Sequence, residues 1–310
     1  MGSALLVLTA LLGGCGGDPP APATAPRAAT SGGPTSAVPP TTPTAASDMP
    51  AARPSSGLPR GLVFFGGGRA RTGEWQLFAE PTDLRGRDDL LAAVRTVMAG
   101  APDDPDRSTL WNGDVVEQVA LRWDGDEGYY DVRLVDAAAT RRPPGTSMRE
   151  AHLAIQQVVW TLGSVGRVEA PVRFTAGRSP EPVTDLLGIP ATGPDDTYPA
   201  ADRSGVLSSM HVLTPAEGTV VSGVVDVSGL AESFEATVGI RVVDASGKTV
   251  LDDATSTEQC CGRLWPWRYE LDTSGWAPGT YVVEARTDDP VGIAQGSDGP
   301  EIDTRTIRVD

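Results

Sequence analysis

Ser147-Met148-Arg149-Glu150-Ala151-His152-Leu153-Ala154-Ile155-Gln156-Gln157-Val158-Val159-Trp160-Thr161-Leu162-Gly163 decides the character of the first folded half of the chain. Ser147 and Glu150 stand at capping-box spacing, so that each side chain accepts a hydrogen bond from the other's otherwise unpaired amide. Behind them Ala151, Ile155, Val158, Val159 and Leu162 fall on one helical stripe, and Gly163 can end the helix. Upstream, Asp88 to Ala99 carries Leu90, Leu91, Val94, Val97 and Met98 at the same spacing, with acids in its first turn and Gly100 just past its end. Leu62–Phe65 and Trp75–Ala79 read as short strands separated by a turn region at Gly66-Gly67-Gly68. Val115–Trp123 and Tyr129–Val135 read as a hairpin closed by Asp124-Gly125-Asp126-Glu127-Gly128, and Val168–Thr175 returns as a strand. Two amphipathic helices against a small antiparallel sheet predict an α+β domain over residues 58–196.

Residues 197–310 read differently. Met210–Leu213, Val220–Val227, Ala236–Val243, Lys248–Ala254, Trp267–Leu271, Tyr281–Arg286 and Thr304–Val309 are seven short candidate strands. Pro215-Ala216-Glu217-Gly218, Asp244-Ala245-Ser246-Gly247 and Ala277-Pro278-Gly279 punctuate them as turns. This spacing predicts an all-β, immunoglobulin-like sandwich, without the distant Cys pair and central Trp of antibody domains.

The first 57 residues belong to neither domain. Ala4–Leu12 is an uncharged, mostly apolar run, about half the 20 residues that a spanning helix needs. It fits the apolar core of a signal peptide over residues 1–14. Leu12-Gly13-Gly14-Cys15 resembles the bacterial lipobox, which implies cleavage before Cys15 and lipidation of its thiol. No Lys or Arg precedes the run, and we expect the natural start to lie further upstream. Residues 16–57 hold ten Pro, ten Ala and eleven Ser or Thr. Such a segment buries too little apolar surface to offset its chain entropy, so residues 15–57 are expected to be a disordered tether.

Charge narrows the partners. The net charge of −16 divides into −6 over residues 58–196 and −10 over residues 197–310, with the N-terminal part neutral. That field repels phosphate backbones and anionic headgroups, which disfavours nucleic acid and electrostatic membrane binding. A membrane contact is expected through the lipid anchor alone.

Candidate chemistry is sparse. His152 and His211 lack Cys or His neighbours at ligand spacing, and no HExxH, P-loop or Gly-x-Ser-x-Gly elbow occurs. No metal, cofactor or catalytic residue is therefore expected. Asp124-x-Asp126-x-Gly128 lacks the later Glu of a calcium loop and reads as an acidic turn, and Asp103-Asp104-Pro105-Asp106 reads as a solvated loop. Cys260 and Cys261 are adjacent. They can close a vicinal disulfide that strains the peptide between them, stay reduced, or bridge to another chain, and all three remain open. Trp265-Pro266-Trp267 would place both indoles on one side of an extended segment, a candidate surface for a sugar ring or a protein; equally, Trp267 can pack inward and leave only Trp265 partly exposed.

Two resemblances tie the domains together. Residues 61–180 resemble a GerMN domain through Leu90-Leu91-Ala92-Ala93-Val94, the Trp123–Tyr130 hairpin, the Ala151–Leu162 helix and Val168-Glu169-Ala170-Pro171-Val172-Arg173-Phe174. Residues 209–309 resemble the immunoglobulin-like domain of bacterial spore germination proteins through Val212-Leu213-Thr214-Pro215, Ser233-Phe234-Glu235-Ala236-Thr237-Val238 and Gly296-Ser297-Asp298-Gly299. The resemblance implies a noncatalytic lipoprotein on the outer face of the cytoplasmic membrane, serving as an interaction or assembly module with envelope protein partners. A lipoprotein that grips cell-wall glycan through Trp265 and Trp267 is the alternative.

Overall fold

The computed structural model of the chain describes residues 61–69, 72–290, 292 and 298–310. The expected signal peptide, Cys15, the tether, and Gly296 and Ser297 lie outside the described residues. Among those described, no helix is long and apolar enough to cross a membrane.

In the first lobe, β1 (Leu62–Gly68) and β2 (Trp75–Pro81) pair antiparallel as a two-stranded sheet. The glycine run is not a turn: it continues β1. A Cβ on Gly66 would lie 2.8 Å from the Trp75 ring, and one on Gly67 would lie 2.6 Å from the Arg107 guanidinium. Close packing of large side chains, rather than chain reversal, requires those glycines. A 3-10 turn at Arg87–Asp89 leads into α1 (Leu90–Ala99), which ends on Gly100 at φ 71°. The hairpin of β3 (Val116–Asp124) and β4 (Glu127–Leu134) turns through only Gly125 and Asp126. After α2 (Met148–Gly166), β5 (Val172–Ala176) joins β4 in parallel. The second sheet, in the order β3-β4-β5, is mixed rather than antiparallel as expected, because α2 crosses over between β4 and β5. β5 thus starts at Val172 rather than Val168.

The capping box forms as expected: Ser147 Oγ accepts from the Glu150 amide at 3.1 Å, and Glu150 accepts from the Ser147 amide at 2.7 Å. The helix runs past Gly163 to Gly166 and stops at Arg167, in the left-handed region at φ 62°. It is also buried well beyond the expected stripe. Ala151, Ala154, Ile155, Val158, Val159, Leu162 and Val165 join the core of the β3-β4-β5 sheet, while Leu153 joins the core beside β1 and β2. Its buried polar residues satisfy neighbouring backbone. Ser164 Oγ accepts from the Leu62 amide at 2.9 Å, and Thr161 Oγ1 from the Phe64 amide at 3.2 Å. The helix thereby covers the unpaired side of β1, where orphaned amides would otherwise be buried.

Beyond β5 come β6 (Asp185–Leu186), β7 (Ile189–Pro190) and the short α3 (Arg203–Val206). This segment packs on the first lobe past residue 196. The Tyr198 amide and carbonyl both pair with Val172, and Ser208 N donates to Leu77 O at 3.0 Å.

The second lobe is two sheets facing each other. One runs β13 (Trp265–Asp272), β10 (Val224–Ala231), β8 (Met210–Thr214). The other runs β12 (Thr249–Ser256), β11 (Thr237–Asp244), β14 (Gly279–Thr287), β15 (Ile302–Val309), β9 (Thr219–Val221). The stretch expected as one strand over 220–227 is two, broken at Gly223 with φ 69°. Inward residues Val227, Val238, Ile240, Val242, Trp267, Val283 and Ile307 form the core between the sheets. The architecture is α+β followed by an immunoglobulin-like sandwich.

Candidate interaction surface and the joint that fixes it

The two lobes share a core. Leu62, Phe64, Leu77, Ala79, Leu153, Val206 and Leu207 from the first pack with Leu230 and Leu264 from the second. Beside this seam lie four buried charges. Arg305 on β15 ion-pairs with Asp104, and Arg107 ion-pairs with Asp303 on β15. Cross-contacts close the square: Arg107 Nε lies 3.8 Å from Asp104, and Arg305 lies 3.6 Å from Asp303. No side chain in it exceeds 5% exposure. Asp303 and Arg305 also bind backbone. Asp303 Oδ2 accepts from the Val212 amide at 2.7 Å, and Arg305 Nη2 donates to the Val212 carbonyl at 2.6 Å. Arg107 also lies 3.5 Å over the Phe78 ring. The segment read as a solvated acidic loop is therefore in part an interior wall, because Asp104 faces two arginines there.

His211, on β8, completes the joint. Its Nδ1 accepts from the Ala79 amide at 3.1 Å, which puts the ring proton on Nε2. Burial, and then the positive charge of Arg107, depresses its pKa to about 3, so the ring is neutral. Next to it, burial raises the pKa of Glu80, opposed by hydrogen bonds from the Asp103 and Asp104 amides at 3.0 and 3.3 Å. Gly229 lets β8 approach here: a Cβ on it would lie 1.8 Å from His211 O and 2.8 Å from the Trp267 ring.

One sequence signal could have exposed this joint. In Ile302-Asp303-Thr304-Arg305-Thr306-Ile307-Arg308-Val309, strand alternation puts Asp303 and Arg305 on the same face as Ile307 and Val309. Opposite charges on an apolar face mark a buried ion pair.

The sequence-derived surface residues come together at one end of the sandwich, but not as a pair of indoles. Trp267 is 3% exposed and belongs to the inter-sheet core. Trp265, two residues nearer the strand end, is half-buried, with the Arg263 guanidinium 3.6 Å over its ring. A joint Trp265–Trp267 platform is thus absent, because the strand that carries both runs from the rim into the core. The exposed aromatic nearby is Phe234, at 62%. It sits on a loop capped by Asp288, whose carboxylate accepts from the Phe234 and Glu235 amides at 2.9 and 3.1 Å.

Cys260 and Cys261 are free, exposed thiols on the facing loop. Cys261 takes the left-handed conformation at φ 63°, and its thiol lies 3.4 Å from Phe234 O. The Trp265 indole donates to the Cys261 carbonyl at 3.2 Å, and the Gly262 amide donates to Glu232 Oε1 at 2.8 Å. Glu232 in turn ion-pairs with Arg203 of α3. A separate open cavity of about 550 Å³ lies by the β3–β4 turn, lined by Asp124, Glu127, Tyr129, Arg173, Asp195 and Asp196 among others. Among the described residues no group of three His, Cys, Asp or Glu side chains could hold a metal ion.

Residues 209–294 match the family model of the immunoglobulin-like domain of bacterial spore germination. The match begins just after Ser208, the last residue of the segment packed on the first lobe. Among solved structures, an endo-β-1,4-mannanase from Thermotoga petrophila is similar at 14% identity, over 53% of this chain and 36% of that one. Its TM-score of 0.25 is too low to support any argument, and this chain spans about a third of that structure's length. No curated protein matches.

Proposed function

We propose that the protein is a noncatalytic, lipid-anchored envelope lipoprotein that acts as an interaction or assembly module of a cell-surface complex. The observation that carries this reading is the match of the second lobe to the immunoglobulin-like domain of bacterial spore germination. In this reading the first lobe is a GerMN-like domain, Cys15 carries the lipid, and the Pro- and Ala-rich tether holds both lobes away from the bilayer. The shared core and the four-charge joint support it, since lobes locked together can offer a partner one fixed surface made from both. The wall-glycan alternative loses support, because Trp265 alone gives a sugar ring far less stacking area than two indoles would.

Two experiments test this. The first is metabolic labelling with an alkyne fatty acid: label on the wild type and none on Cys15→Ala is expected, and an unlabelled wild type would refute the anchor. The second exposes the detergent-extracted full chain to purified cell wall and to membrane extract. Stable protein partners support assembly; wall retention that disappears in Trp265→Ala would overturn it in favour of glycan binding.

A further inference from the structure

The surface around Cys260 and Cys261 has a feature that docking does not call for. The two thiols are neighbours in sequence and both exposed. The loop does not need a covalent staple. Gly262 is bonded to Glu232, Trp265 to the Cys261 carbonyl, and the Cys261 thiol to Phe234 O. A bridge between adjacent residues would also contribute little stability, because the stabilisation from cross-linking grows with the length of the loop closed and this is the shortest loop there is.

We infer that Cys260 and Cys261 form a reversible redox site, which closes by thiol–disulfide exchange with an external disulfide and remodels the Phe234–Trp265 surface as it closes. One cysteine thiolate attacks the external disulfide RSSR; its S–S bond breaks, a protein–SR mixed disulfide forms, and RS⁻ leaves to take a proton. The adjacent thiol then gives its proton to solvent and attacks the protein sulfur of that mixed disulfide, releasing the second RS⁻. The protein dithiol loses two electrons and two protons, and RSSR becomes two RSH.

Reversibility follows from geometry. Cα atoms across a trans peptide are 3.8 Å apart, whereas disulfides favour about 4.4–6.8 Å. Forcing the bridge strains it, and strained, exposed bridges are the readily reduced ones. The coupling to the surface follows from two contacts. The Cys261 sulfur gives up its hydrogen bond to Phe234 O once it is bonded to Cys260. The peptide unit whose strain the ring changes adjoins the Cys261 carbonyl that holds the Trp265 indole. Closing therefore removes one tie to the Phe234 loop and shifts Trp265 at the same time.

The test equilibrates the full-length protein across glutathione buffers of increasing oxidation, then alkylates and digests it with trypsin. The peptide 249–263, cut at Lys248 and Arg263, carries both cysteines. The expected product is an unalkylated, intramolecularly bridged peptide that appears and disappears within the glutathione range. A tryptophan emission change should follow the same midpoint, vanish in Trp265→Phe, and be absent in Cys260→Ser. Four results would overturn the inference: a doubly alkylated peptide in every buffer, glutathione on both thiols, a bridge between chains, or a closed bridge that withstands a large excess of reduced glutathione. A reversible bridge with unchanged Trp265 emission would overturn the coupling. The readout is at the thiols, so it is separate from whether a docking partner is found.

Discussion

Arg305, on the last strand of the chain, forms an ion pair with Asp104 of the other lobe, 201 residues earlier, and both side chains are at most 4% exposed. Arg107 and Asp303 repeat the arrangement in reverse, so each lobe contributes one acid and one base to the same buried square. Opposite charges this far from water hold one relative placement of the lobes, because any shift would leave a charge unpaired.

Removing one corner should therefore be costly. Asp104→Ala leaves two buried arginines short of a partner and is expected to destabilise by about 3–5 kcal/mol. The double change Asp104→Leu with Arg305→Met should cost clearly less, since it removes both buried charges of one pair. Urea unfolding followed by circular dichroism measures both. A single substitution with no effect would mean that the pair is open to water. The shared core further predicts that wild-type lobes unfold in one transition.

His211 makes acid stability asymmetric. The unfolded chain binds its proton near 6.5, the folded chain only near 3, so the unfolded state holds more protons between these values. Its contribution is present above about pH 6.5 and is lost as pH falls toward 3, by at most about 1.4 kcal/mol per pH unit. Glu80 and Glu301, whose pKa values burial raises, act in the opposite sense at the acid end. The comparison is thus wild type against His211→Asn, which keeps an acceptor toward Ala79. Equal slopes from pH 6.5 to 4 in the two proteins would contradict a neutral, buried His211.

The helix hydroxyls that serve β1 give a smaller effect. Thr161→Val keeps shape but leaves the Phe64 amide unpaired, at an expected cost of about 1–3 kcal/mol. Amide exchange at Phe64 should accelerate more than that of strand neighbours paired with β2. Unchanged exchange would show that water, rather than Thr161, satisfies the amide.

Trp267 and Trp265 should separate cleanly. Trp267→Ala empties part of the inter-sheet core and is expected to cost about 3–5 kcal/mol. Trp265→Ala loses one indole hydrogen bond and an exposed stack on Arg263, for about 1 kcal/mol or less. Thermal unfolding of the two variants measures the difference, and similar losses would argue against their unequal burial.

Much of the fold was legible because local rules and global packing agree. The capping box at Ser147 and Glu150, the left-handed Gly100 and the period-two strands of the sandwich all form as their spacing predicts. Where the reading failed, distant side chains intervened. Gly66 and Gly67 read as a turn because glycine is conformationally free; Trp75 and Arg107, which need the space, come from elsewhere in the chain. The Trp265–Trp267 surface failed for a related reason: alternation fixes the side of the strand, but not how far along it the core extends.

By itself the sequence determined an α+β lobe followed by a β-sandwich, because capping, helical stripes and strand alternation act over a few residues. It also showed that the motifs of metal, phosphate and nucleophile sites are missing. Only the tertiary structure decided that the lobes share a core, that Asp104 is interior, and that His211 is neutral. Those facts depend on contacts between distant residues, such as Asp104 with Arg305 and Ala79 with His211, 201 and 132 positions apart. Whether a charge is solvated or paired is set by what the fold places opposite it, and no local pattern around Asp104 carries that information.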